Sequence, residues 1–399
     1  VPPFTASTSQ AVMARHAIDP VPSLSTVRAT VPRLVEAAIT KALAKVPADR
    51  FATAGEFAEA LTHEDAAGSR EPAAASIAVL PFTNMSADPE NEFFAEGITE
   101  DIINALTKIP ELRVASRTSA FAFKGKGQDV RAIGERLMVS KVLEGSVRKA
   151  ANRLRITAQL INSADGYQVW SEQYDRELDD VFAIQDEISH AIVSALKIKL
   201  SSGNVALAKR QTHDLDAYNM YVKGRYFWNR RGAGLVKAEK YFTEATNRDP
   251  EYAQAHAAVA DTYNLLGWYQ LRPPKEAFPR AKAAALKALD IDETIAEAHT
   301  SLAFAYMYYD WAWAAAEHEF TRAIQLHPGY ATTHHWYAEY LMAMGRTEDA
   351  IEEAERAQEL DPVGLIINVV VGMANYYGRR YDRAIEACQR TVEMDPAFG

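Results

Sequence analysis

The residues able to do chemistry are scattered along this chain, and each cluster meets a plainer explanation. Lys124-Gly125-Lys126-Gly127 has the composition of a phosphate-cradling loop, but no Lys-Ser/Thr pair follows it into a helix, so it reads as a solvated loop. Arg148, Lys149, Arg153 and Arg155 crowd a hairpin turn. An anion or nucleotide site is open to them; the default is exposed charge that discourages strand-to-strand pairing. Asp175, Glu177, Asp179 and Asp180 lack the spacing, turn glycine and final Glu of a calcium loop, and helix capping accounts for them. His334 and His335 are adjacent, so on a helix they point about 100° apart, and no HExxH motif supports a zinc. Cys388 stands at a small-residue packing position and reads as a core thiol. No Ser-His-Asp or Cys-His arrangement emerges. The expectation is a segment with no catalytic, cofactor-binding or metal-ligating residue.

The elements that would carry any function are therefore the better guide. The chain has 399 residues, 48% hydrophobic and 24% charged, with a formal net charge of -10. That is globular composition with room for two or three domains. The acidic balance argues against a nucleic-acid partner, which needs clustered Lys and Arg. One cysteine permits no internal disulfide and suits a reducing, cytoplasmic setting. No apolar run is long enough for a membrane span. The first residues, Val1-Pro2-Pro3-Phe4, and the last, Asp395 to Gly399, both look like cut ends.

From about residue 215 the pattern is helical and repeats. Asp249-Pro250, His327-Pro328, Asp361-Pro362 and Asp395-Pro396 close successive units, and Pro328, Pro362 and Pro396 stand 34 residues apart. Small residues recur where paired helices must approach closely, among them Ala303, Ala338, Gly372, Ala354 and Ala384. This period resembles the tetratricopeptide repeat (TPR), with five units starting near Ala217, Ala253, Ala296, Ala331 and Leu365. The resemblance implies an all-α superhelix with a groove lined by the first helix of each unit. It would put Gln254, Ala257, Asp261 and Asn264 of the second unit on that face, with Glu297, Thr300, Phe304 and Met307 of the third. Thr332, His335, Glu339 and Met342 follow from the fourth, and Ile366, Val369, Met373 and Tyr376 from the fifth. Such a face suits a protein or peptide with apolar anchors and some positive charge. The fifth unit's apolar lining is as readily the seat of a further repeat.

Residues 76–200 mix strand-like and helix-like runs after a linker at 62–75. Ser76–Phe82, Leu112–Ala115, Val139–Val147, Leu154–Ile161 and Tyr167–Tyr174 read as strands, with turns at Asn152 and Asp165-Gly166. Helices are expected from Gly97, with Thr99 capping, from Val130 to Met138, and from Val181 to about Leu200 behind Asp179-Asp180. The segments SIAVLPFTNMSADPENEFFAEGITEDI, VASRTSAFAFKGK, LEGSVRKAANRLRITAQLI and YDRELDDVFAIQDEI resemble a bacterial TolB-amino-terminal-like domain. That resemblance implies a regulatory or ligand-sensing α/β domain, found with TPR arrays behind a kinase, a cyclase or a DNA-binding module.

Residues 1–61 resemble the end of a bacterial Ser/Thr protein kinase C-lobe, through PPFTASTSQAVMARH and VPRLVEAAITKALAKVPADRFATAGEFAEAL. The resemblance implies that Arg50 pairs with a glutamate that would lie before Val1. The phosphate loop, strand lysine, catalytic-loop Asp and Asn, and metal-binding Asp-Phe-Gly of a kinase are absent, so ATP and Mg belong to the missing kinase part. The expected fold is multidomain α and α/β: a helical C-lobe remnant, an α/β domain of about five strands and three helices, then the TPR superhelix. The expected function is the non-catalytic regulatory and protein-interaction region of a bacterial Ser/Thr kinase, its groove recruiting a partner or substrate. The alternative is a small-molecule-sensing module whose α/β domain binds a ligand and whose repeats relay it.

Overall fold

The computed structural model describes residues 15, 33–44, 50–51, 53–62, 75–88, 91–109, 112–177, 181–196 and 212–396. The chain divides into two compact units, Val1–Ala73 and Ala74–Gly399. The first contains α1 (Arg33–Ala42) and α2 (Ala54–Thr62). There Arg50 is exposed, and its Nε donates to the Ala44 carbonyl at 2.7 Å. The segment PPFTASTSQAVMARH, apart from Arg15, lies outside the described residues.

The second unit opens with a mixed sheet. In chain order its elements are β1 (Ala75–Val79), β2 (Thr83–Asn84), α3 (Glu92–Leu106), β3 (Leu112–Val114), α4 (Arg117–Phe121), α5 (Val130–Leu137), β4 (Lys141–Ala150), β5 (Arg153–Asn162), β6 (Gln168–Glu177) and α6 (Val181–Ala195). Strand order is β3-β1-β4-β5-β6, with the short β2 added on β4. β1 runs parallel to β3 and β4, and β4, β5 and β6 form an antiparallel meander.

Alternation along β1 sends Ile77 and Val79 to one face and Ala78 and Leu80 to the other. The first face packs under α3 and α6 with Phe94, Ile98, Ile102, Ile184 and Ile188; the second packs against α5 with Ile133 and Leu137. β5 buries Leu154, Ile156, Ala158 and Leu160 on the main core side. The five expected strands are present, and β2 is a sixth, too short at two residues to show periodicity. α4, five residues long, is likewise additional to the expected helices.

α3 corrects the reading of its start. It begins at Glu92, so Gly97 and Thr99 lie inside it rather than at its cap. Thr99 is fully buried; its Oγ1 donates to Ala95 O and accepts from Phe82 N, both at 2.9 Å. The Asp179-Asp180 cap proposed for α6 lies outside the described residues.

Helices α7 (Leu215–Trp228), α8 (Ala233–Arg248), α9 (Ala253–Trp268), α10 (Pro274–Ile291), α11 (Ala296–Ala305), α12 (Trp313–Leu326), α13 (Ala331–Ala343), α14 (Thr347–Leu360), α15 (Leu365–Tyr377) and α16 (Tyr381–Met394) follow as five antiparallel pairs. They form the all-α TPR superhelix. Alanines seal the pairs: Ala238, Ala260, Ala281, Ala285, Ala303, Ala316, Ala338 and Ala350 are all fully buried. Leucine-sized groups there would push the axes apart.

α11 and α13 start 35 residues apart, Ala296 to Ala331, against 34 for α13 and α15, Ala331 to Leu365. The first helix of that pair ends in five residues of π-helix, Tyr306–Asp310, which take up an added residue without breaking the stack.

Candidate functional site: the array and the helix docked on it

The first helix of the array belongs to two cores at once. Tyr218 and Val222 of α7 are buried in the core of the α/β sheet, beside Phe94 and Phe182. Gly97 is what lets α3 come this close: a Cβ there would stand 2.3 Å from Val222 Cγ1. A mid-helix glycine is unfavourable by roughly 1 kcal/mol relative to alanine, so close approach is the physical reason for it here.

Charged groups fix the same contact. Glu100 of α3, 5% exposed, pairs with Arg225 of α7 and, at 3.0 Å, with Arg117. Arg117 also reaches Glu96 at 3.0 Å, and Lys124 reaches Glu96 at 2.6 Å. Burial alone would raise the Glu100 carboxyl; Arg225 and Arg117 outweigh it and hold it below its ordinary value. Asp101 behaves oppositely. Burial raises it to about 6, with the Glu100 charge adding to the rise, although Tyr218 Oη donates to it at 2.6 Å and Gln185 Nε2 at 2.8 Å.

The far end of the array is tied as well. Ser119 Oγ donates to the buried carboxylate of Asp361 at 2.6 Å, and Ser116 N donates to Leu360 O at 3.2 Å. Thus the α/β domain is fastened to the first repeat and to the turn between the fourth and fifth.

The expected groove residues divide between the cavity at the end of α3 and contacts within the array. Asp261 (6% exposed) and half-buried Glu297 line a cavity together with Gln254, Ala257 and the α3 end, Asn104 and Lys108. Asn264 is fully buried, its Nδ2 donating to Ser301 O at 2.8 Å across neighbouring repeats. Thr300 is buried against Thr333, 2.7 Å between hydroxyls. Phe304 lies inside an aromatic stack with Trp268, Tyr308 and Trp336, and Met307 is buried in the same cluster. His335 is buried and meets Glu339 at 3.1 Å; Glu339 also accepts from Tyr308 Oη. Met342 is half-buried between two core clusters.

Met373 and Tyr376 are different, 40% and 61% exposed. They continue into Tyr377, Tyr381, Ile385 and Val392, all more than half exposed, around a cavity of about 940 Å³ on α15 and α16. The equivalent face of the fourth repeat, 34 residues earlier, is covered: Ala338, Ile351 and Ala354 pack under Val370, Val371 and Ala374 of α15. Cys388 lies on the uncovered face and is exposed, which corrects its reading as a core thiol; its counterpart Ala354 is 1% exposed.

The other clusters pair among themselves. Arg153 and Arg155 both donate to Asp175 at 2.6 Å, which takes that carboxylate out of any metal set. Lys149 lies over the Phe94 ring at 4.9 Å. His334 meets Glu353 and His335 meets Glu339, so the two histidines face separate carboxylates. Among the described residues, no group of three His, Cys, Asp or Glu could hold a metal ion, and no helix is long and apolar enough to cross a membrane.

Comparison with known proteins agrees with this architecture in parts. Residues 73–192 match the second domain of HilA/YgeH-like transcriptional regulators, and residues 312–364 and 338–397 match tetratricopeptide repeats. The chain is 43% identical to putative adenylate cyclase 3 of Rhizobium meliloti over 239 residues, 59% of this chain and 40% of that protein. It is 23% identical to the transcriptional regulator HilA of Salmonella typhimurium over 44% of this chain and 32% of the relative. The Ser/Thr protein kinase PknH of Mycobacterium tuberculosis is 34% identical over 68 residues, 16% of this chain and 11% of the kinase. The chain thus spans two fifths or less of the length of each of these relatives.

Among solved structures, the TPR protein TTC0263 of Thermus thermophilus aligns at TM-score 0.39 and 16% identity, covering 45% of this chain and 92% of that one. Human IFIT1 bound to m7Gppp-AAAA aligns at 0.42 and 15%, covering 56% and 54%. Likenesses this distant add nothing to the fold already described.

Proposed function

We propose that this chain is the non-catalytic regulatory and protein-interaction region of a larger bacterial signalling protein, and that its helical array recruits a protein partner. One observation carries the reading. The apolar face of α15 and α16 is the register equivalent of a face that the fourth repeat buries under α15, yet it stands exposed. The occupant that fits is an amphipathic helix presenting small and branched apolar residues, as α15 presents Val370, Val371 and Ala374 to the repeat before it; a partner's helix is the proposed occupant, and a further repeat of a longer chain is the rival. Helix α3 packs on the first repeat and its end borders the cavity at Asp261 and Glu297, whereas the α15–α16 face carries no covering helix among the described residues.

The α/β domain is read as the TolB-amino-terminal-like module of this region, and the output as a Ser/Thr kinase that uses ATP and Mg outside this chain. The likeness of residues 1–61 to a kinase C-lobe supports that output. A rival output, cyclisation of a nucleotide, is favoured by the name of the 43% identical relative. The names of the relatives span a cyclase, a transcriptional regulator and a kinase, which fits a regulatory region compatible with more than one output. A cytoplasmic location belongs to the same reading.

Cys388, the chain's one cysteine, is exposed on the proposed surface and accepts a benzophenone-maleimide crosslinker directly. The expected result is a crosslinked protein whose purified form binds the unlabelled chain and loses affinity roughly tenfold or more on Ile385→Glu. Equal affinity for Ile385→Glu would contradict recruitment at this face.

A further inference from the structure

Where α3 ends against the array it leaves a cavity of about 370 Å³. That is within the range of about 300–1,000 Å³ typical of small-molecule sites. Its lining comes from five places: the end of α3 with Asn104 and Lys108, α7 with Arg225, the middle of α9 with Asp261, the first turn of α11 with Glu297, and the turn before α13 with His327.

Several of these groups lack partners. Asp261 is 6% exposed; its Oδ1 is sealed from solvent and accepts no hydrogen bond. His327, 8% exposed, has Nε2 in the same state, as does Arg225 at Nε. Native proteins rarely leave buried polar atoms unpaired, because each forfeits its hydration without replacement. The charge of Arg225 is committed to Glu100. Lys108 and Glu297 form no ion pair among the described residues. The cavity therefore offers two carboxyl groups, Asp261, which is buried without a donor, and half-buried Glu297, together with the exposed ammonium of Lys108. A simple anion would meet both carboxyls, and an apolar ligand would leave buried Asp261 and His327 unpaired.

We propose that this cavity binds a small zwitterion of amino-acid type, its ammonium on Asp261 and Glu297 and its carboxylate toward Lys108. Such a ligand touches α3 and the array together, so it strengthens the contact between the α/β domain and the repeats. The site is separate from the α15–α16 face and stands or falls without it.

The test is a thermal-shift screen of the full chain against the common amino acids near neutral pH. Calorimetry follows on any that binds and on its Nα-acetyl and carboxamide derivatives. The expected result is a dose-dependent rise of about 2 °C or more with at least one free amino acid. Nα-acetylation abolishes it, and Asp261→Asn and Glu297→Gln each weaken binding roughly tenfold. Glu297 is half-buried and its variant preserves shape, which guards the test against loss of fold. No shift with any amino acid overturns the proposal, and so does a shift that survives acetylation or both substitutions.

Discussion

Asp261 shows how one carboxyl sets both stability and recognition. Burial raises it to about 6 from an ordinary 3.8, and the positive charges of Arg231 and Arg225 only partly oppose the rise. The folded state then binds a proton that the unfolded state releases at lower pH. Between about pH 4 and pH 6 stability falls as pH rises, and the deficit is complete above the folded value. Asp101, raised to about 6 by burial, adds a second contribution of the same sign. Glu100 works the other way: its lowered value gives stability above its ordinary range that is lost as pH falls. Asp261→Asn should therefore stabilise the ligand-free protein above pH 6 by on the order of 2–3 kcal/mol and leave it unchanged near pH 4. Urea unfolding at the two pH values measures it; a loss of stability at pH 8 would contradict the buried, unpartnered carboxyl.

At this scale the sequence was partly legible. The resemblance to the tetratricopeptide repeat implied one face for Asp261 and Glu297; both line the cavity at the end of α3. Nothing in that resemblance told that Asn264, Thr300 and Phe304 would be consumed in contacts between repeats, because the same helix face serves the groove and the next helix.

The element that organises the molecule is α3. Its docking joins residues more than a hundred positions apart, Gly97 to Val222 and Asp101 to Tyr218, and no periodicity records such a pairing. The one signal in the sequence is a glycine inside a helical pattern, and reading Gly97 as a helix start passed over it. Alanine at an ordinary mid-helix glycine stabilises by up to about 1 kcal/mol. Here the sign reverses: Gly97→Ala drives a methyl into Val222 and should destabilise by about 1–3 kcal/mol. A melting temperature at or above that of the natural protein would refute the close approach. Arg225→Met leaves Glu100 buried with Arg117 alone, which should lose about 3 kcal/mol and speed hydrogen exchange in α3 before any other helix. The repeat helices themselves were legible because alanine spacing and Pro-marked turns are local. Their first helices begin at Leu215, Ala253, Ala296, Ala331 and Leu365, at or within two residues of the starts read from the sequence.

Across residues 74–399, the α/β sheet and the array share a core through α7, so they should unfold together although repeat arrays alone unfold piecewise. Variants keeping only Trp170, in β6, or only Trp336, in α13, should report the same urea midpoint. Two separate midpoints would show that the docking is too weak to couple them. Within this array α3 packs on the first repeat, and the fifth exposes Tyr376, Tyr381 and Ile385.

Recruitment at that last repeat is tested most directly by titrating the partner captured at Cys388 against paired variants. The prediction is a roughly tenfold or greater loss of affinity for Tyr376→Glu and Ile385→Glu, with no change for Glu297→Gln in the cavity at the end of α3. Affinity lost in Glu297→Gln and kept in the Tyr376 and Ile385 variants would contradict the account.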